Sequence, residues 1–211
     1  MKNKLLLIVI LILTVVLVLS SCSAPEQTPP AEEPEPEVQE EVSESEEEPE
    51  EVAAEPVELA PVSSSLTQDG KWLTVINETY ANPSGLNESP ALRFNEIPGA
   101  GFYAIYMIDV SASNWVHWIA RNVTVTELAQ GAVLDDSDYV GPYPPSGIHT
   151  YEIHIYALAV EPVEYPGTVN GTLSSIEEVE SALDSVGGGT GNILASAVLS
   201  GTVEAGGAIV E

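Results

Sequence analysis

The chain has little cysteine, little positive charge and no long apolar stretch. Cys22 is its single cysteine, so no internal disulfide can form and a disulfide-stapled scaffold is excluded. Lysine and arginine number 5 against 33 acidic residues, a formal net charge of −28, which argues against nucleic acid and against adsorption to anionic lipid headgroups. The longest apolar run, Leu5 to Leu19 interrupted by Thr14, falls short of the about 20 residues that a membrane-spanning helix needs. No G-x-S-x-G nucleophile elbow occurs, so the usual local mark of an α/β-hydrolase is missing.

What is present divides the chain into three parts. Lys2 and Lys4 precede the apolar run, so residues 1–21 read as a signal peptide. The run ends at Leu19-Ser20-Ser21-Cys22, which resembles the bacterial lipobox, where cleavage falls before a cysteine whose sulfur carries diacylglycerol. Cys22 is therefore the expected lipidation site, and two acyl chains hold a protein on a bilayer almost permanently. An ordinary cleaved signal is the plainer alternative. The expected location is extracytoplasmic, anchored to the bacterial cell membrane or to an outer membrane.

Residues 22–65 are dominated by Glu, Pro, Ser and Val, and contain no Trp, Tyr or Phe. Such composition buries too little apolar area to offset chain entropy, and its like charges repel, so a disordered acidic tether is expected. A coil of this length reaches roughly 35 to 40 Å, more when stretched by Pro and charge. A specific cation- or protein-binding role for the Glu run is the alternative.

Residues 66–211 read as one globular domain. Eighteen acids against Lys71, Arg93 and Arg121 give it a formal charge of −15. Lys71 to Asn77, Phe102 to Asp109, Trp115 to Val123 and Thr150 to Val160 are rich in aromatic and β-branched residues, the mark of strands. In the last run Tyr151, Ile153, Ile155 and Ala157 share one face, leaving Glu152, His154 and Tyr156 on a wetter side with His154 at the surface. One helix is expected over Ser175 to Val186, opened by a Ser175/Glu178 capping box and stopped by Gly187-Gly188-Gly189. Ile193 to Val203 is expected to form a final strand.

Residues able to do chemistry gather in three segments: Asp109 at a strand end, His117-Trp118 in the next strand, and the loop Gly141 to Tyr151. Pro142, Pro144 and Pro145 stiffen that loop, so it can present peptide N–H groups without losing entropy on binding. His117 and His149 could donate to an oxyanion, with Asp109 setting the tautomer or charge of one of them. Each residue also has a plain structural reading: Asp109 as a turn cap, the histidines as buried and hydrogen-bonded, Tyr151 as core. A metal site at Asp109, His117 and His149 has less support, because their spacing matches no local metal motif.

Taken in order, these segments resemble the phosphatidylethanolamine-binding protein family, in particular its bacterial Raf-kinase-inhibitor-like branch, here in lipoprotein form. Ser89-Pro90-Ala91-Leu92-Arg93-Phe94 matches its SPAL-W segment, Asp109 the first acid of DPDAP, and His117-Trp118 its HW. Gly141 to Tyr151 matches GPxPPxGxHRY, and Tyr156-Ala157-Leu158 the YAL that follows. The resemblance covers most of Leu73 to Val203. It implies an all-β fold, a β-sandwich of two antiparallel sheets with one or two short peripheral helices, and a shallow anion pocket. Carried over, Asp109, His117, Gly141, Pro144, Pro145, His149 and Tyr151 would form that pocket, with no cofactor and no catalytic residue. The pattern departs at Asp109-Val110-Ser111-Ala112-Ser113, where the second acid and both prolines are replaced, at Thr150, which stands for the arginine of HRY, and at Gly191-Asn192.

Three function classes follow. The first is a noncatalytic surface module binding a small phosphate-containing or zwitterionic ligand, the acidic domain favouring one that carries an ammonium. The second is an interaction or protease-inhibitor module for an extracellular protein partner. The third, remote, is a hydrolase using Ser111, His117 and Asp109.

Overall fold

The apolar runs of the sequence build one central antiparallel sheet. In a computed structural model, which describes residues 57–208 except Ala81, the elements in chain order are β1 (Leu92–Arg93), β2 (Phe102–Asp109), β3 (Trp115–Val123), β4 (Glu127–Leu128), β5 (Ser137–Tyr139), β6 (Ile148–Leu158), α1 (Ile176–Leu183) and β7 (Ile193–Glu204). The five-stranded sheet runs β5-β3-β2-β6-β7, and β1 pairs with β4 in a second, small sheet. The expected all-β architecture of two antiparallel sheets with a peripheral helix is therefore what forms. The expected signal peptide, the expected lipidation site Cys22 and most of the expected tether lie outside the described residues.

β2 sits between β3 and β6 and is buried at every position except Phe102, which is half-buried. Both faces of the sheet therefore carry a core. On one face Tyr103, Ile105, Met107, Tyr151, Ile153 and Ile155 pack with Trp72, Ile76, Leu92 and Leu128. On the other Ala104, Tyr106, Ile108 and Tyr156 pack with Leu173, Val179 and Leu183. Burying a side chain of the Leu or Ile class stabilises by about 1.5–3 kcal/mol, so both faces need cover.

Three expectations change. Lys71 to Asn77 is not a strand: Lys71 and Trp72 make single bridges to Thr202 and Leu66, and Thr74–Ile76 turns into a short 3-10 helix. The turn brings Trp72 and Ile76, both buried, into the same core. Ordered packing also begins before Leu66. Leu59 is buried in the first core and Val62 exchanges two backbone hydrogen bonds with Arg93, at 2.8 and 2.9 Å. The apolar residues that do this are thinly spread among Pro, Ser and Glu, and so carry no periodic signal.

The third change is His154, which is buried. The helix α1 lies over its face, with Val179 and Leu183 packed against Tyr156 and Leu158. That helix is shorter than expected but starts where the sequence says, the Glu178 N–H donating to the Ser175 hydroxyl at 3.3 Å. Burial holds the His154 pKa below its ordinary 6.5, against the attraction of Glu152 and Glu180. Between that lowered value and 6.5 the unfolded chain binds more protons than the folded one, so stability declines as pH falls through this window. The urea midpoint should accordingly fall between pH 7.5 and 5.5, and the fall should shrink in His154→Gln. An unchanged fall would place the acid sensitivity elsewhere.

Candidate functional site

The core permits no charged side chain in the middle of β2, where the Tyr103 and Tyr106 hydroxyls are both hydrogen-bonded, and its first charged residue is the last, Asp109. Asp109 is buried and both its carboxylate oxygens are engaged. Oδ1 accepts from the Ser111 N–H at 2.9 Å, closing a tight local turn, and Oδ2 accepts from His149 Nδ1 at 2.6 Å. The turn-cap reading and the histidine-orienting reading of Asp109 thus hold together. Ser111, where the family pattern has its second acid, accepts the Thr150 N–H on its hydroxyl at 2.9 Å. It ties the β2–β3 turn to β6, and no described hydrogen bond joins it to a histidine, so the geometry of a Ser-His-Asp triad is missing.

His117 reaches the site through an irregularity in β3. The ladder to β2 runs Met107 to Trp118 and then Ile108 to Val116, leaving His117 without a partner on β2. Such bulges re-aim a side chain near functional sites. The His117 ring is buried, and its Nδ1 faces the carbonyl oxygens of Val140 at 3.0 Å and Gly141 at 3.2 Å. Carbonyls only accept, so the hydrogen sits on Nδ1, and Nε2 carries a lone pair while the ring is neutral. Burial depresses the His117 pKa below 6.5, although the two carbonyls and Asp109 pull the other way. The same logic places a hydrogen on His149 Nδ1. Each Nε2 is an acceptor when its ring is neutral and becomes a donor when the ring is protonated.

Tyr151 lies against both rings, its centroid 5.1 Å from that of His117 and 6.5 Å from that of His149. It is fully buried, yet its hydroxyl has no hydrogen-bond partner. Burial, with the nearby Asp109 carboxylate, pushes the phenol well above its ordinary 10, so it keeps its proton, beside Asp109 and the Tyr143 backbone but without a closed hydrogen bond to either. Leaving such a group unpaired costs about 1–3 kcal/mol, a cost that a ligand acceptor would remove.

The loop before β6 is anchored at its start by two hydrogen bonds. The Gly141 N–H donates to Asn87 Oδ1 at 2.7 Å, and the Glu78 N–H donates to the Pro142 carbonyl at 3.1 Å. A Cβ on Gly141 would collide with the Ile76 carbonyl and the backbone of Asn77 and Glu78, so only glycine fits. Pro144 is half-buried and Pro145 exposed. Asp109, His117, Gly141, His149 and Tyr151 are thus brought together, while Pro144 and Pro145 belong to the loop that borders them.

Two participants escaped sequence reasoning. Tyr143 stacks edge-on against His117 at 5.3 Å and donates to Asn170 Oδ1 at 3.0 Å. Trp115 buries an indole N–H that also lacks a partner. The aromatic inside a run of prolines was the available signal for Tyr143; Trp115 offered none. Among the described residues no three His, Cys, Asp or Glu side chains gather as a metal donor set.

The sheet, its peripheral helix and this polar strand end define a β-sheet binding module. The chain belongs to the phosphatidylethanolamine-binding protein family, whose model matches residues 63–204. It is 33% identical over 94 residues to a UPF0098 protein of Methanothermobacter thermautotrophicus, in an alignment covering 35% of this chain and 62% of that protein, less than two thirds of its length. Among solved structures, a phosphatidylethanolamine-binding protein homologue of Chlamydia trachomatis matches with a TM-score of 0.53 and 25% identity over 70% of this chain and 97% of its own. YbcL of E. coli, described as a member of the mammalian family, matches with a TM-score of 0.53 and 21% identity over 70% and 99%, a likeness of fold.

Replacing Gly141 by alanine should destabilise the domain by about 1–3 kcal/mol, because backbone rather than a side chain would have to move. Urea unfolding measures this, and a loss under about 0.5 kcal/mol would show that the Ile76–Glu78 segment yields freely.

Proposed function

We propose that the domain is a noncatalytic module, displayed outside the cell on a lipid-anchored acidic tether, that binds a small phosphate-containing headgroup beside Asp109, His117, His149 and Tyr151. The observation that carries this reading is the buried Tyr151 hydroxyl, a donor with no acceptor, set between two imidazoles whose Nδ1 hydrogens are already committed. A phosphate oxygen would satisfy the phenol.

The protonation states favour a particular ligand. Near neutral pH the depressed pKa of His117 leaves its Nε2 a lone pair, and the domain carries a formal −15. A phosphate dianion meets repulsion there, whereas a ligand with its own ammonium offsets both. Phosphoethanolamine should therefore bind more tightly than inorganic phosphate at pH 7.5. As pH falls through the His117 range, Nε2 becomes a donor and phosphate affinity should rise, narrowing the gap. Cys22 would keep the pocket near a membrane, and the tether would set its reach.

Calorimetric titration of the purified chain with phosphate and phosphoethanolamine at pH 7.5 and 5.5 tests this. His117→Ala and His149→Ala should each weaken binding at least tenfold, about 1.4 kcal/mol or more. Equal affinity for the two ligands at pH 7.5 would remove the ammonium preference, and no binding of either at both pH values would sink the pocket. Incorporation of labelled lipid into the chain but not into Cys22→Ser checks the anchor.

A further inference from the structure

Away from this site, the outer edge of the main sheet is open. β7 pairs with β6 on one side; on the other, among the described residues, it is met only at its start, where the Ile193 N–H donates to Asp184 Oδ1 at 2.9 Å, and near Thr202. There the Thr202 N–H donates to the Gly70 carbonyl and its own carbonyl accepts from Trp72, so the backbone groups of Thr202 point outward. Outward groups recur every second residue along a strand. Ser196, Val198 and Ser200 therefore present N–H and C=O groups outward, none with a partner among the described residues, up to the register shift beside Ala157 that breaks the alternation at Leu194. At about 3.3 Å per residue this leaves roughly 20 Å of free edge.

Long edges of this kind are usually blunted by a charged residue, a proline or a covering element. Ile193 to Val203 contains neither charge nor proline, in a chain with 33 acids, and it exposes Leu194 and Val198. Beside it runs a groove between β7 and α1, lined by Tyr156, Ser196, Glu177, Glu180 and Asp184. Tyr156 is only 2% exposed, and among the described residues its hydroxyl makes no hydrogen bond. The groove thus combines the Tyr156 hydroxyl with three carboxylates, of which Asp184 also accepts the Ile193 N–H, and it contains no basic residue.

We propose that β7 is a strand-addition site for an extended, lysine- or arginine-rich segment of a partner protein. The segment adds a sixth strand along Ala195 to Ser200, its main chain pairing with the open edge. Alternate side chains then project on the α1 side, where a long basic side chain reaches Glu177, Glu180 and Asp184. Backbone pairing provides the affinity and the groove selects the charge, as in other strand-addition interfaces. A second copy of this domain is the poorer occupant, since it brings a formal −15 against −15.

Fluorescence anisotropy with the full chain tests this with three labelled nine-residue peptides. One alternates Lys with Thr and Val, one has Glu in place of Lys, and one is the lysine peptide N-methylated at every residue. Only the first should bind. Its affinity should fall at least tenfold in Ser196→Pro, which removes an outward N–H and leaves the β6 ladder intact, and in Glu180→Lys. Attraction to the acidic residues before Leu66 would be insensitive to both substitutions. Equal binding of the glutamate peptide, no binding of the lysine peptide, or unchanged binding in a Ser196→Pro variant of unaltered circular dichroism would overturn the proposal. Self-association of the chain that Ser196→Pro abolishes would also overturn it, by assigning the edge to a second copy. Should Ser196→Pro fail to fold, the N-methylated peptide decides: binding as tight as that of the unmodified one excludes strand addition.

Discussion

Strand β2 is hydrogen-bonded along both edges and buried on both faces, and this arrangement governs everything around it. A strand so enclosed excludes charge along its length, so both faces of the sheet require their own apolar cover. Segments 57–76, β1 and β4 supply it on one side, and α1 with Leu173 on the other. Polar chemistry is displaced to the strand end, where Asp109 lies opposite Tyr151 on β6 and next to the bulge that carries His117. The site is a consequence of where the core stops.

At that end the decisive quantity is the placement of hydrogens. Two carbonyls hold the proton on His117 Nδ1, and Asp109 holds the one on His149 Nδ1, so each ring offers its other nitrogen. Burial keeps His117 neutral to lower pH than a free histidine, and keeps Tyr151 protonated to higher pH than a free tyrosine. The replaced residues of the family pattern do not dismantle this arrangement. Ser111 keeps the turn docked on β6 by accepting the Thr150 N–H, and the Asp109 carboxylate remains fully engaged. What the replacements remove is one charge of each sign, at Ser111 and Thr150, so the formal net charge there is unchanged.

Much of the fold could be read directly. Phe102 to Asp109, Trp115 to Val123 and Thr150 to Val160 alternate or run apolar as strands must, and Ser175 with Glu178 marks a helix start. The residues of the site were legible as an ordered set of short motifs, though none was informative alone. Less was visible where burial comes from a distant partner. His154 looked like a surface residue because its own strand is half polar, and only the packing of α1 buries it. Leu59 and Val62 looked like part of the tether because their neighbours are Pro, Ser and Glu, and only pairing with Arg93 draws that segment into the domain.

The sequence by itself determined the four long strands β2, β3, β6 and β7, where the helix begins, which polar residues are available and how the charge is distributed. These depend on local spacing and composition, which a single chain carries in full. Tertiary structure alone decided the bulge that aims His117, the unpartnered hydroxyl of Tyr151 and the open outer edge of β7. Each of these is set by register between segments far apart in the chain, and a one-residue change of pairing would redirect the side chains without changing any local pattern.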